Sequence, residues 1–118
     1  MAVQNHLKIA VTGASGFIGR HVLAELALHP VAIVAVTRSA ARLADAGAAV
    51  RVVEMNIAQV DAGAYDRLGR PDVLIHLAWD GLPNYGSLHH FETELPRQYR
   101  FLKSMIEAGL PALASLFA

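Results

Sequence analysis

Short apolar runs alternate with stretches of helical spacing along the first two thirds of the chain. Four of these runs are short and rich in β-branched residues, which predicts strands at residues 7–12, 31–36, 50–54 and 73–78. The third run is the least hydrophobic, so we expect it nearer an edge of the sheet. Between the first two runs, the apolar residues of segment 17–28 recur at helical spacing, and His29-Pro30 ends that pattern.

Weaker signals fill the segments between the later strands. Ser39 stands where it would cap a short helix that runs to Ala46 and is closed by Gly47. The stretch 58–70 is irregular, and we expect about one helical turn around residues 65–68. These segments are therefore predicted to connect strands rather than to add to the sheet.

A longer helix is predicted after the fourth strand. Its apolar positions form a stripe at helical spacing: Leu88, Phe91, Leu95, Tyr99, Leu102 and Ile106. Pro96 lies inside this stripe, so the helix either starts near it or is kinked there. The tail, residues 109–118, is too short and too poor in β-branched residues to predict a strand.

The alternation of strands and helices predicts the fold class. It favours a parallel sheet that is doubly wound, with helices on both faces, as in Rossmann-like α/β folds. The right-handed crossover rule gives the strand order 3-2-1-4. Because such a domain normally continues to about six strands, a sheet of four is incomplete. We expect residues 1–118 to form this one domain.

Composition narrows the kind of partner. The chain has ten basic and ten acidic residues, so nothing favours a nucleic-acid or anionic-membrane surface. It has no cysteine, which excludes disulfides and thiolate zinc sites. No apolar run approaches the length of a membrane span, and no signal segment precedes the first strand. We expect a cytoplasmic protein whose partner is a small molecule.

The sharpest local signal is a glycine turn between the first strand and the first helix. Gly13, Gly16 and Gly19 recur every three residues. Gly13 permits the tight turn, Gly16 lets a diphosphate approach the backbone, and Gly19 lets the helix pack closely on the strand. The free amides near residues 15–18, which include Ser15, Phe17 and Ile18, would then face the anion. The context predicts a dinucleotide cofactor; the alternative is a structural turn that binds nothing.

The chain resembles a known family in this region and beyond it. Three glycines three apart, with the pair Phe17-Ile18 before the last, are similar to the turn of the extended short-chain dehydrogenase/reductases, the NAD-dependent epimerase/dehydratase group. His76-Leu77-Ala78 resembles the His-x-Ala segment of that family. The resemblance runs over residues 8–110. It implies an oxidoreductase or epimerase-type enzyme that acts on a nucleotide sugar, of which this chain carries the N-terminal, cofactor-binding part.

The end of the second strand bears on the choice of cofactor. An NAD site usually has an acidic residue there, to hold the ribose 2′-hydroxyl, but this chain has Arg38. A guanidinium suits the 2′-phosphate of NADP, with Ser39 and Arg42 as helpers, so we favour NADP over NAD. If Arg38 is instead only a solvated residue, NAD remains open.

The resemblance implies further contacts with the cofactor. Asn56 and Ile57 stand where the family places an acidic and an aliphatic residue beside the adenine, and an asparagine can still accept from its amine. Leu77 and the small Ala78 would lie along the cofactor. The loop 80–85 would lie toward nicotinamide and substrate, although a plain loop is equally compatible with its sequence.

The histidines are not expected to bind metal. We expect His76 to be a buried, hydrogen-bonded structural residue rather than a catalyst. His89 and His90 are neighbours on a helix and cannot easily share a metal ion, so they are predicted to lie on the surface. No metal site is therefore predicted.

The catalytic pair of the family has no convincing counterpart here. The resemblance implies a tyrosine that transfers a proton and a lysine four residues later, both located after the fifth strand. Tyr99 and Lys103 have this spacing. They come before the fifth strand, on the predicted apolar stripe, where pairs four apart arise by chance. The catalytic residues are unknown from the sequence.

We therefore expect a chain that is truncated, or whose reading frame is lost near residue 111. The fourth strand would then have an unpaired edge, which predicts marginal stability and makes a homo-oligomer one expected outcome. Two alternatives to an enzyme part stay open at this point. One is a nonenzymatic NAD(P)-binding or redox-sensing module, and the other is a remnant that does not fold stably.

Overall fold

Among the residues that the structure describes, five parallel strands form one sheet, and their order across it, numbered along the chain, is 3-2-1-4-5. The computed structural model describes residues 6–47, 49–59, 62–79 and 86–115. The strands are β1 (Leu7–Thr12), β2 (Val31–Thr37), β3 (Val50–Glu54), β4 (Val73–His76) and β5 (Ala112–Ser115). The predicted order 3-2-1-4 is confirmed, with β3 at an edge, and one further strand extends it.

The fifth strand corrects the expectation for the tail. Residues Ala112–Ser115 pair with β4 in parallel, from Val73 opposite Ala112 to His76 opposite Ser115. The edge of β4, expected to be unpaired, is therefore covered. All four residues of this strand are exposed, so its sequence lacks the pattern of buried apolar positions that predicts a strand. It forms because its backbone pairs with β4, and the intrinsic β-propensity of its residues does not reflect such pairing.

In the described part of the chain, three α-helices and several single turns connect the strands. The helices are α1 (Phe17–Leu26), α2 (Ala64–Arg67) and α3 (Leu95–Glu107). The single turns are a 3₁₀ turn at Ala40–Leu43, another at Ile57–Gln59 and a π-helical turn at His90–Glu94. The one-turn helix expected after β3 is confirmed. Helix α1 ends at Leu26, two residues earlier than predicted, and Leu28 beyond it is 78% exposed.

The segment after β2 differs from the predicted capped helix. It is a 3₁₀ turn, and Ser39 makes no side-chain cap. The Ser39 amide instead donates to Thr37 Oγ1 at 3.2 Å. Gly47, with φ at +96°, follows the turn in the left-handed conformation that the predicted helix end requires.

The buried face of α3 is not the predicted apolar stripe. The helix begins at Leu95, so Pro96 lies in its first turn, where proline costs no hydrogen bond. Gln98, Phe101 and Met105 form the buried face. Three members of the predicted stripe are about half exposed instead: Leu95 at 50%, Tyr99 at 54% and Ile106 at 54%. The predicted stripe was wrong because one residue of the buried face, Gln98, is polar. Its burial depends on hydrogen bonds that are described below.

Core side chains cover both faces of the sheet, as expected of a doubly wound, Rossmann-like fold. Ala10, Val34 and Leu74 pack on one face with residues of α2 and α3. Val11 and Ala35 pack on the other face with residues of α1. The carboxyl ends of β1, β2 and β4 consequently open at one edge of the sheet, between α1 and α3, and this edge forms the site.

Candidate functional site

A cleft of about 1400 Å³ lies at the carboxyl ends of the strands. The glycine turn, the ends of β2 and β4, the segment after β3 and the start of α3 all contribute to it. Every residue predicted to contact the cofactor lines this one cleft: Gly13, Ser15, Gly16, Phe17, Ile18, Gly19, Arg38, Asn56, Ile57, Leu77 and Ala78. The fold therefore brings together residues that are more than 60 positions apart in the sequence.

Gly13 and Gly19 are required by close backbone approaches. Gly13 has φ at +66°, and a Cβ on it would lie 2.9 Å from the amide nitrogen of Ala78. The end of β4 can therefore pass directly against the turn. A Cβ on Gly19 would lie 2.2 Å from the carbonyl oxygen of Gly13. The sequence assigned the same two roles, a tight turn and close helix packing.

Gly16 has a different environment. It is exposed, and a Cβ there would meet only the Gly13 carbonyl oxygen, at 3.3 Å. Helix α1 starts directly after it, with no side-chain cap and no acidic residue in its first turn. The amides of this turn consequently face the cleft without a side-chain acceptor, and they carry the positive end of the helix dipole.

The end of β2 lines the cleft with basic and hydroxyl groups. Thr37 Oγ1 lies 3.1 Å from Ser15 Oγ, so β2 and the glycine turn are linked directly. Arg38 and Arg42 both line the cleft, and both are exposed. Within the described part of the chain, neither guanidinium has a hydrogen-bonding or ion-pair partner. The cleft therefore holds two cations beside the turn that are available to an anion.

A directional hydrogen-bond network holds the end of β4. Gln98 Nε2 donates to the carbonyl oxygen of Ala78 at 2.9 Å and also to a carboxylate oxygen of Glu94. Since Gln98 Oε1 can only accept, His76 Nε2 must carry the proton that it donates to this oxygen. His76 Nδ1 then accepts from the Thr12 hydroxyl at 2.7 Å. The network specifies a neutral His76 with one tautomer.

Burial also favours the neutral form of His76. The ring is 2% exposed, and desolvation lowers its pKa below the ordinary 6.5, against the smaller raising effects of the Gln98 hydrogen bond and the Glu94 charge. The predicted role of His76 as a buried, hydrogen-bonded residue fits this geometry. The Thr12 hydroxyl oxygen in turn accepts from the amides of Leu77 at 3.0 Å and Ala78 at 3.3 Å. The wall of the cleft after β4 is thus held from both sides.

Sequence reasoning missed Gln98 and Glu94. Both are 3% exposed, although such residue types are mostly found at the surface. Glu94 Oε1 lies 3.7 Å from His89 Nε2 and 3.9 Å from Arg97 Nη1. The available signal was their spacing, because positions 94, 98, 101 and 105 share one face of a helix.

The prediction of surface positions for His89 and His90 is wrong. Both are part-buried, since the turn before α3 folds them toward the end of β4. His90 Nδ1 accepts from Trp79 Nε1 at 2.7 Å, and the two rings lie 5.9 Å apart. Among the described residues, no group of three or more potential ligands could hold a metal ion. The loop 80–85 lies outside the described residues.

Tyr99 and Lys103 lie away from the cleft. Tyr99 is 54% exposed, and Lys103 Nζ is 3.1 Å from Glu107 Oε2 on the same helix. Neither belongs to the described lining of the cleft. Ser115, at the end of the unexpected strand, does line it, and its hydroxyl donates to the His76 carbonyl oxygen at 3.2 Å. Within the part of the chain that the structure describes, no helix is long and apolar enough to cross a membrane.

Solved structures share this architecture. A UDP-glucose-4-epimerase from Stenotrophomonas maltophila, with bound NAD and formylated UDP-arabinopyranose, matches 93% of this chain at 23% identity and a TM-score of 0.78. A UDP-Glc/GlcNAc 4-epimerase from Campylobacter jejuni matches 92% at 16% identity and a TM-score of 0.77. Gre2 from Candida albicans, in complex with NADPH, matches 92% at 23% identity and a TM-score of 0.67. At these identities the likeness shows the fold.

The chain spans only part of these structures, 36% of each of the three. No curated protein sequence matches it. The family model of the NAD dependent epimerase/dehydratase family matches residues 9–94, a segment that contains the glycine turn, most of β1 and the whole of β2, β3 and β4. The match covers well over half of the chain, which therefore belongs to the NAD dependent epimerase/dehydratase family.

Proposed function

We propose that the cleft binds a nicotinamide dinucleotide, with its diphosphate on the glycine turn. The observation that carries this proposal is the start of α1, where uncapped amides follow an exposed Gly16 at the wall of the cleft. A diphosphate placed there accepts hydrogen bonds from these amides and is stabilised by the helix dipole. The larger side chain of any other residue at position 16 would hold it away from the backbone.

We propose NADP as the preferred dinucleotide. Arg38 lies at the end of β2, the position from which a Rossmann fold reaches the adenosine ribose. Its guanidinium has no partner among the described residues, and Arg42 lies on the turn that follows. Two such cations favour a 2′-phosphate over a 2′-hydroxyl. The adenine would then lie beside Asn56 and Ile57, and the rest of the cofactor along Leu77 and Ala78.

For the reaction, we propose that residues 1–118 supply the cofactor-binding part of an oxidoreductase or epimerase that acts on a nucleotide sugar. The family membership and the strand order support this proposal. The structures of UDP-sugar epimerases that the chain resembles are much longer than it is. We propose that substrate recognition and proton transfer depend on residues outside this chain.

A second function is favoured by the position of one pair of residues. Tyr99 and Lys103 have the spacing of a catalytic pair but lie outside the described lining of the cleft, and Lys103 pairs with Glu107. A chain that binds a dinucleotide without acting on a substrate would be a nonenzymatic NAD(P)-binding or redox-sensing module. Assays of hydride transfer on nucleotide sugars separate the two functions.

Calorimetric titration with NADPH and with NADH tests the proposed cofactor. We expect the wild-type chain to bind NADPH more tightly, and Arg38→Gln to remove most of that preference. Arg51→Gln is the matched control, because Arg51 is also an exposed arginine but lies outside the described lining of the cleft. A preference for NADH would overturn the role of Arg38, and failure to bind either dinucleotide would overturn the site.

A further inference from the structure

The positive charge of the cleft exceeds what the glycine turn and the end of β2 explain. The chain as a whole carries equal numbers of acidic and basic residues. Among the described residues that line the cleft, however, four are arginines and one is a carboxylate, Glu94. Two of the arginines, Arg38 and Arg42, belong to the adenosine end proposed above. The other two, Arg97 and Arg100, come from a different element, helix α3.

Arg97 and Arg100 lie three residues apart and so share one side of α3. This side is separate from the buried face, which is formed by Gln98, Phe101 and Met105. The two arginines therefore do not pack into the core, and the helix presents them to the cleft instead. Their spacing is short enough for both guanidiniums to contact one anionic group.

The two guanidiniums are poorly neutralised by the protein. The nearest carboxylate oxygen to Arg97 is Glu94 Oε1, at 3.9 Å, which is beyond hydrogen-bonding distance. Within the described residues, Arg100 has no ion pair or hydrogen bond through its side chain. Of the arginines outside the cleft, Arg51 donates to a backbone carbonyl and Arg70 bonds to Asp66, whereas Arg67 has no side-chain partner among the described residues. Four described arginines have no ion-pair or hydrogen-bonding partner for their side chains, and three of them, Arg38, Arg42 and Arg100, line the cleft; Arg97 has only the 3.9 Å contact with Glu94.

The cleft also has room for more than one ligand group. Its volume of about 1400 Å³ exceeds the range of roughly 300–1,000 Å³ that is usual for a small-molecule site. Helix α3 packs against the turn Ile57–Gln59, so the wall with Arg97 and Arg100 belongs to the same cleft as the proposed adenine site. An anion on this wall would be held from the side opposite α1, because α1 and α3 cover opposite faces of the sheet.

We propose that Arg97 and Arg100 form a second anion subsite of the cleft, which takes a phosphate group. Planar guanidiniums bind phosphate oxygens through paired donors, and two of them on one helix face match a diphosphate. The phosphate has two chemical sources: the diphosphate of the dinucleotide itself, or that of a second, nucleotide-type ligand. The subsite deepens the proposed function, since it assigns charge recognition to α3 as well as to the glycine turn.

The test compares two double variants of equal charge change. Arg97→Gln/Arg100→Gln removes the subsite, and Arg51→Gln/Arg67→Gln removes two exposed arginines that do not belong to the described lining. Each is titrated by calorimetry with NADPH, UDP and inorganic pyrophosphate, after thermal unfolding has shown that it folds like the wild type. We expect the first variant to bind at least one of the three probes about tenfold more weakly, with a smaller difference in high salt, where charges are screened.

The pattern among the probes identifies the source of the phosphate. Weaker binding of NADPH and pyrophosphate, with UDP unaffected, assigns the subsite to the diphosphate of the dinucleotide. Weaker binding of UDP, with NADPH unaffected, assigns it to a second ligand. Equal affinities in both double variants, or no binding of any probe by the wild type, overturn the subsite. If the wild type binds UDP or pyrophosphate through Arg97 and Arg100 but binds no dinucleotide, the proposed cofactor fails and the subsite stands.

Discussion

The Thr12 hydroxyl lies 2.7 Å from His76 Nδ1, which joins the ends of two neighbouring strands by a buried side-chain hydrogen bond. The same oxygen accepts from the amides of Leu77 and Ala78. One hydroxyl therefore satisfies three polar groups at the wall of the cleft. Since α3 holds Ala78 from the other side through Gln98, the wall depends on side chains from three elements.

Replacing this hydroxyl should destabilise the fold. Thr12→Val keeps the shape of the side chain but leaves His76 Nδ1 and two amides without their partner, so we expect the free energy of unfolding to fall by about 1–3 kcal/mol. Urea denaturation measures this change. Thr12→Ser keeps the hydroxyl and should cost only about 1 kcal/mol for the lost methyl group. A Thr12→Val protein as stable as the wild type would show that the hydrogen bonds contribute nothing net.

Acidification should destabilise the protein through His76. The unfolded chain binds a proton on this ring near pH 6.5, whereas burial lowers the pKa in the folded state, so the folded ring binds it only at lower pH. Between these two values the unfolded state carries more protons, and stability falls as the pH falls, by at most about 1.4 kcal/mol per pH unit. The contribution is fully present above pH 6.5.

The titration of His76 can be followed directly. NMR of the ring protons should give a pKa below 6.5, and urea denaturation of His76→Gln should show a weaker dependence on pH in this window than the wild type. A ring that titrates above 6.5 in the folded protein would contradict the tautomer and the burial described here. The same result would remove the reason for the expected loss of stability.

Substitutions at two glycines of the turn should affect different properties, since Gly19→Ala should lower stability and Gly16→Ala should weaken binding. A methyl group on Gly19 would lie 2.2 Å from the Gly13 carbonyl oxygen and 2.8 Å from Ala14 Cα, both backbone atoms that cannot move aside cheaply. We expect Gly19→Ala to lose about 3 kcal/mol of stability, more than the gain in helix propensity of about 1 kcal/mol can offset. Thermal unfolding tests this, and a Gly19→Ala chain with an unchanged melting temperature would contradict the packing.

The sequence predicted those parts of the site that depend on local spacing. The glycines are three residues apart and follow a strand, so their turn and the packing roles of Gly13 and Gly19 could be inferred without the fold. Arg38 could be proposed as a cofactor contact because it follows β2 directly. The strand order followed from the alternation of elements and the handedness of crossovers, whereas Asn56 and Ala78 were expected in the site only because of the family resemblance; both line the cleft.

What the sequence did not predict depends on contacts between distant elements. Gln98 and Glu94 are of residue types that usually lie at the surface. In the fold, Gln98 is hydrogen-bonded to His76, Ala78 and Glu94, and both residues are buried. Strand β5 is exposed, and it forms because β4 offers an edge to pair with. His89 and His90 are drawn inward by the turn before α3, which no local pattern marks. In each case the position of the residue depends on an interaction between segments that are distant in the sequence, whereas hydrophobic periodicity reflects only neighbouring residues.

The proposed site requires a diphosphate to approach the backbone at Gly16, and Gly16→Ala would obstruct that approach. The backbone of Gly16 has an ordinary φ of −77°, and an added Cβ would meet only one atom, at 3.3 Å, so the variant should fold with a change in stability under about 1 kcal/mol. The measurement is the calorimetric Kd for NADPH of the wild type and of Gly16→Ala. We predict that the wild type binds NADPH and that the variant, equally folded, binds it at least about tenfold more weakly. Equal affinities, or a folded wild type that binds no NADPH, would show that the glycine turn does not hold the diphosphate of a dinucleotide.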